Sequence, residues 1–231
     1  MASRGNYLFS SSRAPSSLTW VEDMPREDEM SESSRQHHLV DIDTSEPVWE
    51  RFFTIAPLVL VGTRDEDGAL DLAPKHMVTP MGWQNYFGFV CTPSHSTCSN
   101  IERTGVFTVS YPKPSQILYT SLAASPRVCG GKPILDYFDT FAAKRIDGAF
   151  ISDAYLYFEC EHFKTVTGFG DNCLITGEII AAYAESSFVR ASEHDSQEVI
   201  HDSPLFAYLS PGRFATVDRS NAFPFPAEMK K

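Results

Sequence analysis

The sequence has no long apolar run, and basic residues are scarce. Its longest apolar stretch, residues 56–62, is interrupted by Pro57, whereas a membrane-spanning helix needs about 18 to 20 apolar residues. The chain carries 19 Lys and Arg against 30 Asp and Glu, a formal net charge of −11. Nucleic acids and anionic membranes bind basic surfaces. We therefore expect neither as a main partner, although a local basic pocket remains compatible with this charge.

Several catalytic and metal-binding patterns are also missing. The five cysteines form no CxxC and no metal-type spacing, and their number is odd. Reduced thiols in a cytoplasmic protein fit this pattern best. The sequence contains no GxSxG elbow and no HExxH helix, which argues against a serine hydrolase of the elbow type and against a zinc site.

The composition predicts one domain with extensions. A chain of 231 residues suits a single large domain or two small ones. Residues 1–45 are rich in serine and then in acid, which indicates an N-terminal extension that is partly disordered or wraps the domain. We assign residues 46–220 to the domain and 221–231 to a C-terminal tail.

Short extended segments joined by turns follow from residue 52 onward. Apolar and β-branched runs predict strands within 57–63, 69–78, 86–91, 106–110, 155–161 and 172–182. Helices are expected at 99–105, where Ser99 and Glu102 match a capping box and Gly105 a stop, and at 114–124. Strands joined by hairpins with inserted helices favour a β-barrel over a βαβ fold.

The polar loop at residues 92–100 is the segment most indicative of a binding site. It is rich in Ser and Thr and runs directly into a predicted helix. Hydroxyl groups, free backbone N–H groups and the positive end of the helix dipole together bind phosphate well. An ordinary helix cap that satisfies only its own backbone explains the loop equally well.

Five segments in a fixed order resemble the flavin reductase-like family of FMN-binding split barrels. They are residues 57–63 (PLVLVGT), 71–74 (DLAP), 95–109 (HSTCSNIERTGVFTV), 158–160 (FEC) and 175–179 (ITGEI). The resemblance spans about residues 52–182. It implies a mainly β fold with helical insertions, a six-stranded antiparallel Greek-key split β-barrel that acts as a homodimer with the flavin at the interface.

The resemblance also implies an activity. It predicts an FMN-binding oxidoreductase, with FAD as the alternative flavin, that takes hydride from NAD(P)H and passes electrons to a free flavin, a partner oxygenase or another acceptor. A flavin-binding electron carrier without NAD(P)H turnover is the second hypothesis. A use of the same barrel like that of pyridoxamine-phosphate oxidase or a haem protein is the third, because a fold does not determine a function. No catalytic acid–base pair is assigned.

The resemblance assigns cofactor-binding residues to three places in the chain. Along the ring edge it places Lys75, His76, Met77 and Thr79. Around the ribityl chain and phosphate it places Thr92, Ser94, His95, Ser96, Thr97 and Asn100. Reaching from the partner subunit it places Ser121 and Ser125. The phosphate charge would be met by His95, by backbone N–H groups or by an arginine, for which Arg103 and Arg213 are the candidates.

Overall fold

The computed structural model describes residues 39–128, 131–190 and 198–223. Contacts between Cα atoms divide the chain into two units, Met1–Asp43 and Thr44–Lys231. Most of the expected N-terminal extension and of the C-terminal tail lies outside the described residues, so those two assignments stay predictions. Within the described part, no helix is both long and apolar enough to cross a membrane.

The described residues form strands and a few short helices. The strands are β1 (Thr54–Pro57), β2 (Val59–Arg64), β3 (Leu70–Lys75), β4 (Val78–Pro80), β5 (Tyr86–Cys91), β6 (Val106–Tyr111), β7 (Thr140–Ala142), β8 (Ala149–Ile151), β9 (Leu156–Phe169), β10 (Asn172–Ala184), β11 (Leu205–Ser210) and β12 (Arg213–Val217). The α-helices are α1 (Ser96–Thr104), α2 (Ile117–Leu122) and α3 (Glu198–Asp202).

The main sheet closes on itself through a two-residue connection. Its seven described strands are ordered β3-β2-β6-β9-β10-β5-β4, so β3 and β4 lie at opposite edges. Only His76 and Met77 separate these strands in the chain, and three Cα steps span at most about 11 Å. The two edges must therefore meet, which curls the antiparallel sheet. The Val90 N–H also donates to Met77 O at 2.9 Å.

The predicted mainly β split barrel is confirmed, with a difference in strand count. Residues 69–78 were expected as one extended segment, but the chain divides them between two edges of the sheet. The main sheet therefore has seven strands in the described residues instead of six. A smaller sheet of order β1-β11-β12 and the hairpin β7-β8 accompany it.

The barrel core consists of aromatic and aliphatic side chains that alternate along the strands. Phe87, Phe89 and Phe107 are at most 1% exposed and pack with Ile101 of α1 and Ile175 of β10. Neighbouring rings meet edge to face, as for Phe89 and Phe107, whose centroids lie 5.6 Å apart. This packing holds α1 against one end of the barrel.

Helix α1 starts earlier than the capping-box pattern predicts. It begins at Ser96, with His95 as the N-cap residue and no side-chain hydrogen bond at the cap. Ser99 lies inside the helix, where its hydroxyl donates to Ser96 O at 3.1 Å, so the capping box at Ser99 and Glu102 was wrong. The predicted stop is confirmed, because Gly105 ends the helix at φ 72°. The first turn of α1 therefore opens directly onto the predicted binding loop.

Candidate active site

A polar cavity of about 360 Å³ lies where β3 ends and α1 begins, and we call it the basic cavity. Its walls come from the end of β3, the loop before α1, and the segment that follows α2. The residues that line it are Asp71, Ala73, Pro74, Lys75, Ser94, His95, Ser96, Thr97, Ala123, Ala124, Ser125, Pro126, Arg127 and Lys132.

The start of α1 supplies backbone donors to this cavity. Ser94, His95, Ser96 and Thr97 line it, and no side chain caps the N-terminus of the helix. The first N–H groups of a helix have no intrahelical partner, and the helix dipole adds positive potential there. An anion with several oxygens would satisfy these groups together with the nearby hydroxyls.

Three cations line the same cavity: Lys75, Arg127 and Lys132. Arg127 forms a two-pronged pair with Asp65, in which Nη1 lies 2.7 Å from Oδ2 and Nη2 lies 2.8 Å from Oδ1. Arg127 Nη2 also lies 3.1 Å from Asp71 Oδ2. Because three cations face two carboxylates, the cavity keeps an excess of one positive charge inside a protein of net charge −11.

Hydrogen bonds keep the Asp65 carboxylate ionised. Burial alone would raise the pKa of Asp65, but hydrogen bonds from Arg127 and Asn100 outweigh it and hold that pKa below its ordinary value. The hydrogen bond with Asp65 is in turn the main reason that the pKa of Arg127 is raised. The pair therefore orients the guanidinium at the cavity wall.

Lys132 is held by backbone oxygens as well as by charge. Its Nζ donates to Leu72 O at 2.9 Å and to Ala123 O at 3.0 Å, and it lies 2.9 Å from Asp71 Oδ1. These contacts tie the segment after α2 to β3. They also place the ammonium group at the cavity wall in a defined position.

A second cavity of about 470 Å³ adjoins the first, and we call it the apolar cavity. The two share Pro74 and Ala124 in their walls. Apolar or aromatic side chains form most of the second one, with a few polar groups. Its lining residues are Leu58, Pro74, His76, Ile117, Thr120, Ser121, Ala124, Tyr208, Gly212, Arg213 and Phe214. The site is thus a groove with a basic end and an apolar end.

His76 stands at the seam of the barrel and borders the apolar cavity. Its ring lies against that of Tyr208, with centroids 4.7 Å apart. Burial, and next the charge of Lys75, lower the pKa of His76. The imidazole is therefore neutral at pH 7, with one nitrogen as a donor and the other as an acceptor.

A third cavity of about 450 Å³ also borders His76, and we call it the outer cavity. Met77 and Thr79 line it, together with Trp49, Ile55 and other residues of β1, and Leu174 of β10. The outer cavity and the apolar cavity thus both include His76 in their walls.

The structure brings most of the predicted cofactor residues to this groove. Lys75, Ser94, His95, Ser96, Thr97 and Ser125 line the basic cavity, while His76 and Ser121 line the apolar cavity. Ser121 and Ser125 therefore face cavities of their own chain. Met77 and Thr79 line only the outer cavity among these three.

Two predicted residues are engaged elsewhere. The Asn100 side chain donates to Thr63 Oγ1 at 3.1 Å and to Asp65 Oδ1 at 2.7 Å. It therefore holds the carboxylate that pairs with Arg127. The Thr92 hydroxyl donates to Asn172 Oδ1 at 3.4 Å. Of the arginine candidates, Arg213 lines the apolar cavity, and Arg103 donates to Arg64 O.

Sequence reasoning missed Arg127, Lys132 and Asp71. Arg127 and Lys132 lie in residues 125–132, a loop rich in Gly, Pro and Ser that has no helical or strand period. In sequence these two cations lie about 30 residues after the predicted phosphate loop, so no local signal connects them to it. Asp71 was noted only as part of the motif on β3.

The thiols near the site are not activated. Lys75 Nζ donates to Cys91 Sγ at 3.5 Å, yet burial raises the pKa of Cys91. Burial and neighbouring thiols raise the pKa of Cys98 to about 12. These thiols are protonated at neutral pH and are poor nucleophiles. Among the residues that the structure describes, no group of three or more His, Cys, Asp or Glu side chains could hold a metal ion.

The donors in the groove fit a phosphorylated ligand with a flat apolar part. Cations, hydroxyls and helix N–H groups meet at one end, and these are the groups that bind phosphate in proteins. The adjoining walls of aliphatic and aromatic side chains suit a ring system. The residues present therefore fit a cofactor such as FMN.

The structure is similar to several solved structures. 2-Nitrobenzoate 2-nitroreductase of Pseudomonas fluorescens has a TM-score of 0.65 and 19% identity, over 76% of this chain and 87% of that chain. Flavoredoxin of Methanosarcina acetivorans has a TM-score of 0.63 and 21% identity, over 83% and 96%. An FMN-binding protein of Thermus thermophilus has a TM-score of 0.65 and 17% identity, over 81% and 100%. Identities of this size indicate a common fold.

Family membership rests on the sequence itself. The family model for the flavin reductase like domain matches residues 52–201. This match contains β3, the loop before α1 and the segment with Arg127 and Lys132, which together build the basic cavity. The chain therefore belongs to the flavin reductase-like family and is a flavin-dependent oxidoreductase.

Proposed function

We propose that the groove binds FMN and that the protein uses it to carry electrons from NAD(P)H to a second acceptor. The phosphate and ribityl chain would occupy the basic cavity, and the ring would occupy the apolar cavity. The observation that carries this proposal is that the two cavities adjoin at Pro74 and Ala124, with three cations in the wall of one and only Arg213 in the wall of the other.

The basic end supports the phosphate assignment. Lys75, Arg127 and Lys132 supply charge, and the start of α1 supplies backbone N–H groups. Charge-assisted hydrogen bonds to phosphate are about twice as strong as neutral ones. Because the protein is acidic overall, an anion would gain its affinity from these three cations and the helix N–H groups, and not from the rest of the protein surface.

The apolar end supports the ring assignment. Leu58, Ile117 and Phe214 would exclude water from a flat ring, and the neutral His76 would offer it a hydrogen bond. A bound flavin supplies the redox chemistry, because its ring accepts hydride from NAD(P)H and releases electrons to an acceptor. The chain itself would orient the ring, keep solvent away and leave one approach open.

The electron acceptor is proposed at the level of its class. A free flavin, a partner oxygenase or another small molecule would meet the reduced cofactor from the open side of the groove. The outer cavity, which shares His76 with the apolar cavity, is a suitable approach for a small apolar acceptor. This route would place the acceptor next to the seam of the barrel.

A homodimer with the flavin at its interface is part of the proposal. Ile117, Thr120 and Ser121 of α2 line the apolar cavity, while Leu118 and Tyr119 on the same helix are 64% and 44% exposed. Exposed apolar side chains beside a cofactor cavity suit an interface. Size-exclusion chromatography with light scattering would test the dimer, and a monomer with full flavin affinity would contradict this part.

The function is tested by adding FMN to the purified protein and following NAD(P)H oxidation. We expect a flavin absorbance spectrum that stays with the protein after desalting, and NAD(P)H turnover that depends on FMN. Bound FMN without NAD(P)H turnover would instead support the hypothesis of a flavin-binding electron carrier. A protein that binds no flavin, or that prefers pyridoxal phosphate or haem, would overturn the proposal. Parallel titration with FAD determines which flavin it prefers.

A further inference from the structure

Arg127 lies outside the helices and strands, yet its guanidinium group has a defined position. Asp65 accepts from it at both carboxylate oxygens, with Nη1 2.7 Å from Oδ2 and Nη2 2.8 Å from Oδ1. The side chains of Asp65 and Arg127 are only 14% and 25% exposed. Exposed ion pairs hold their side chains weakly. This pair is largely shielded from solvent and has two parallel hydrogen bonds, so it fixes the guanidinium plane.

Asp65 is itself anchored by its neighbours. In the turn between β2 and β3, its N–H donates to Ala69 O at 2.9 Å, and its carbonyl oxygen accepts from Gly68 N–H at 3.0 Å. Its carboxylate also accepts a hydrogen bond from Asn100 of α1, with Nδ2 2.7 Å from Oδ1. Asp65 therefore connects three parts of the molecule: the turn after β2, the helix whose start lines the basic cavity, and the segment that carries Arg127.

This carboxylate reaches Arg127 from outside the basic cavity. Asp65 lines a neighbouring cavity of about 370 Å³ that also includes Arg127, and it does not line the basic cavity. On charge alone, a carboxylate near an anion site weakens anion binding. Orientation has the opposite effect, because an arginine that is already immobilised loses less conformational entropy when its ligand binds. A guanidinium group binds phosphate through N–H groups in a fixed plane, so its orientation affects affinity directly.

We infer that Asp65 is a positioning residue for the phosphate group: it holds the Arg127 guanidinium in the wall of the basic cavity and so strengthens the binding of a phosphorylated flavin, in spite of its own negative charge. This inference rests on the proposed flavin function. It attributes part of the preference for FMN over riboflavin, which has the same ring and ribityl chain but no phosphate, to a residue that does not touch the ligand.

The first test compares FMN with riboflavin by fluorescence titration of the wild type, Asp65→Asn and Glu66→Gln. In Asp65→Asn, one oxygen becomes an NH₂ group that faces donors from Arg127 and Asn100. We expect FMN affinity to fall about tenfold and riboflavin affinity to stay the same. Glu66→Gln removes the same charge from an exposed position on the same turn, and it should change FMN affinity by less than about twofold.

The results of this comparison separate orientation from charge. Tighter FMN binding by Asp65→Asn would show that the carboxylate only repels the phosphate, and it would overturn the inference. An equal loss for FMN and riboflavin would mean that Asp65 supports the fold in general, which would also overturn it. If the wild type binds neither flavin, the proposed function fails and the inference with it. If it binds both but Asp65→Asn changes neither affinity, only the inference is wrong.

A double-mutant cycle with Arg127→Gln gives the second test. If Asp65 acts through Arg127, its carboxylate has nothing to position once the guanidinium is removed, and only its charge remains. Adding Asp65→Asn to Arg127→Gln should therefore raise FMN affinity, by about two- to fivefold. A further loss, as large as in the presence of Arg127, would show that Asp65 acts independently of Arg127 and would overturn the inference.

Nitrogen NMR of the arginine side chains tests the inference on the wild type, even if Asp65→Asn does not fold. Arg127→Gln identifies the Arg127 signals. We expect two separate Nη signals for Arg127 before any ligand is added, because the pair with Asp65 restricts rotation of the guanidinium group, and a shift of these signals when FMN is added. A single averaged Nη signal in the ligand-free protein, or signals that FMN does not shift, would overturn the inference.

Discussion

Two buried carboxylates, Glu159 and Asp71, have opposite surroundings. Glu159 on β9 is 0% exposed and accepts N–H donors from Lys144, Arg145 and Ile146 at 2.7 to 3.0 Å. The Tyr183 hydroxyl also donates to it, at 2.9 Å. Its surroundings therefore satisfy both oxygens completely.

Asp71 on β3 is almost as buried, but its partners are side chains instead of backbone groups. Arg127 Nη2 lies 3.1 Å from its Oδ2, and Lys132 Nζ lies 2.9 Å from its Oδ1. Glu159 is thus held by the backbone of the fold, whereas Asp71 is paired with two of the cations that line the basic cavity.

The largest expected effect is on stability, at Glu159. In Glu159→Gln, an amide NH₂ group would face backbone N–H donors. We therefore expect the free energy of unfolding to fall by about 2 to 4 kcal/mol. Chemical denaturation would measure this change. The control is Glu161→Gln, at an exposed position on the same strand, which should shift stability by less than about 0.5 kcal/mol.

Measuring FMN affinity on the same variants tests whether Glu159 differs from Asp71 in having no role at the site. Glu159→Gln should bind FMN as the wild type does at temperatures where it stays folded, because its carboxylate lies outside both cavities. A loss of affinity without a loss of stability would show that Glu159 serves the site after all.

The next effect is on binding, at Arg127. Arg127→Gln removes a cation from the basic cavity, and it leaves Asp65 and Asp71 with less compensation for their charge. We expect FMN affinity to fall about 10- to 100-fold, from the loss of a charge-assisted hydrogen bond. Fluorescence titration would measure it, with the exposed Arg51→Gln as the control. Unchanged FMN affinity would show that the phosphate does not bind in the basic cavity.

The smallest effect is a dependence of stability on pH, again at Glu159. Burial would raise the pKa of Glu159, but the backbone N–H groups and Tyr183 outweigh it and lower that pKa below the ordinary 4.5. A carboxyl with a lowered folded pKa adds stability above pH 4.5 and loses it as pH falls through the folded pKa.

Wild type should therefore lose stability faster than Glu159→Gln on acidification below pH 4.5. One group contributes at most about 1.4 kcal/mol per pH unit. Thermal melting across this range would measure the difference. Parallel curves for the two proteins would mean that folding does not lower the pKa of Glu159.

Local sequence patterns predicted the strands well. Alternating apolar residues marked β2, β5 and β6, and Gly105 marked the end of α1, because each of these depends on neighbours in the chain. The N-terminus of α1 was misplaced by three residues. Ser99 and Glu102 match a capping box in sequence, but the packing of Ile101 and the loop before it start the helix at Ser96.

Long-range arrangements were harder to predict. Residues 69–78 look like one strand in sequence, yet His76 and Met77 carry the chain from one sheet edge to the other. Arg127 and Lys132 lie about 30 residues after the loop that they join at the cavity, in a segment without periodicity. The sequence contains no local signal for contacts of this kind.

By itself the sequence determined which segments are strands, which polar loop precedes a helix, and which family the chain resembles, since local patterning and motif order record these. Only the tertiary structure decided which charges stand around that loop. Curling of the sheet brings the end of β3, the start of α1 and the loop at Arg127 together. The hydrogen bonds that satisfy Glu159, and the ion pairs that hold Asp71, exist only in that assembled form.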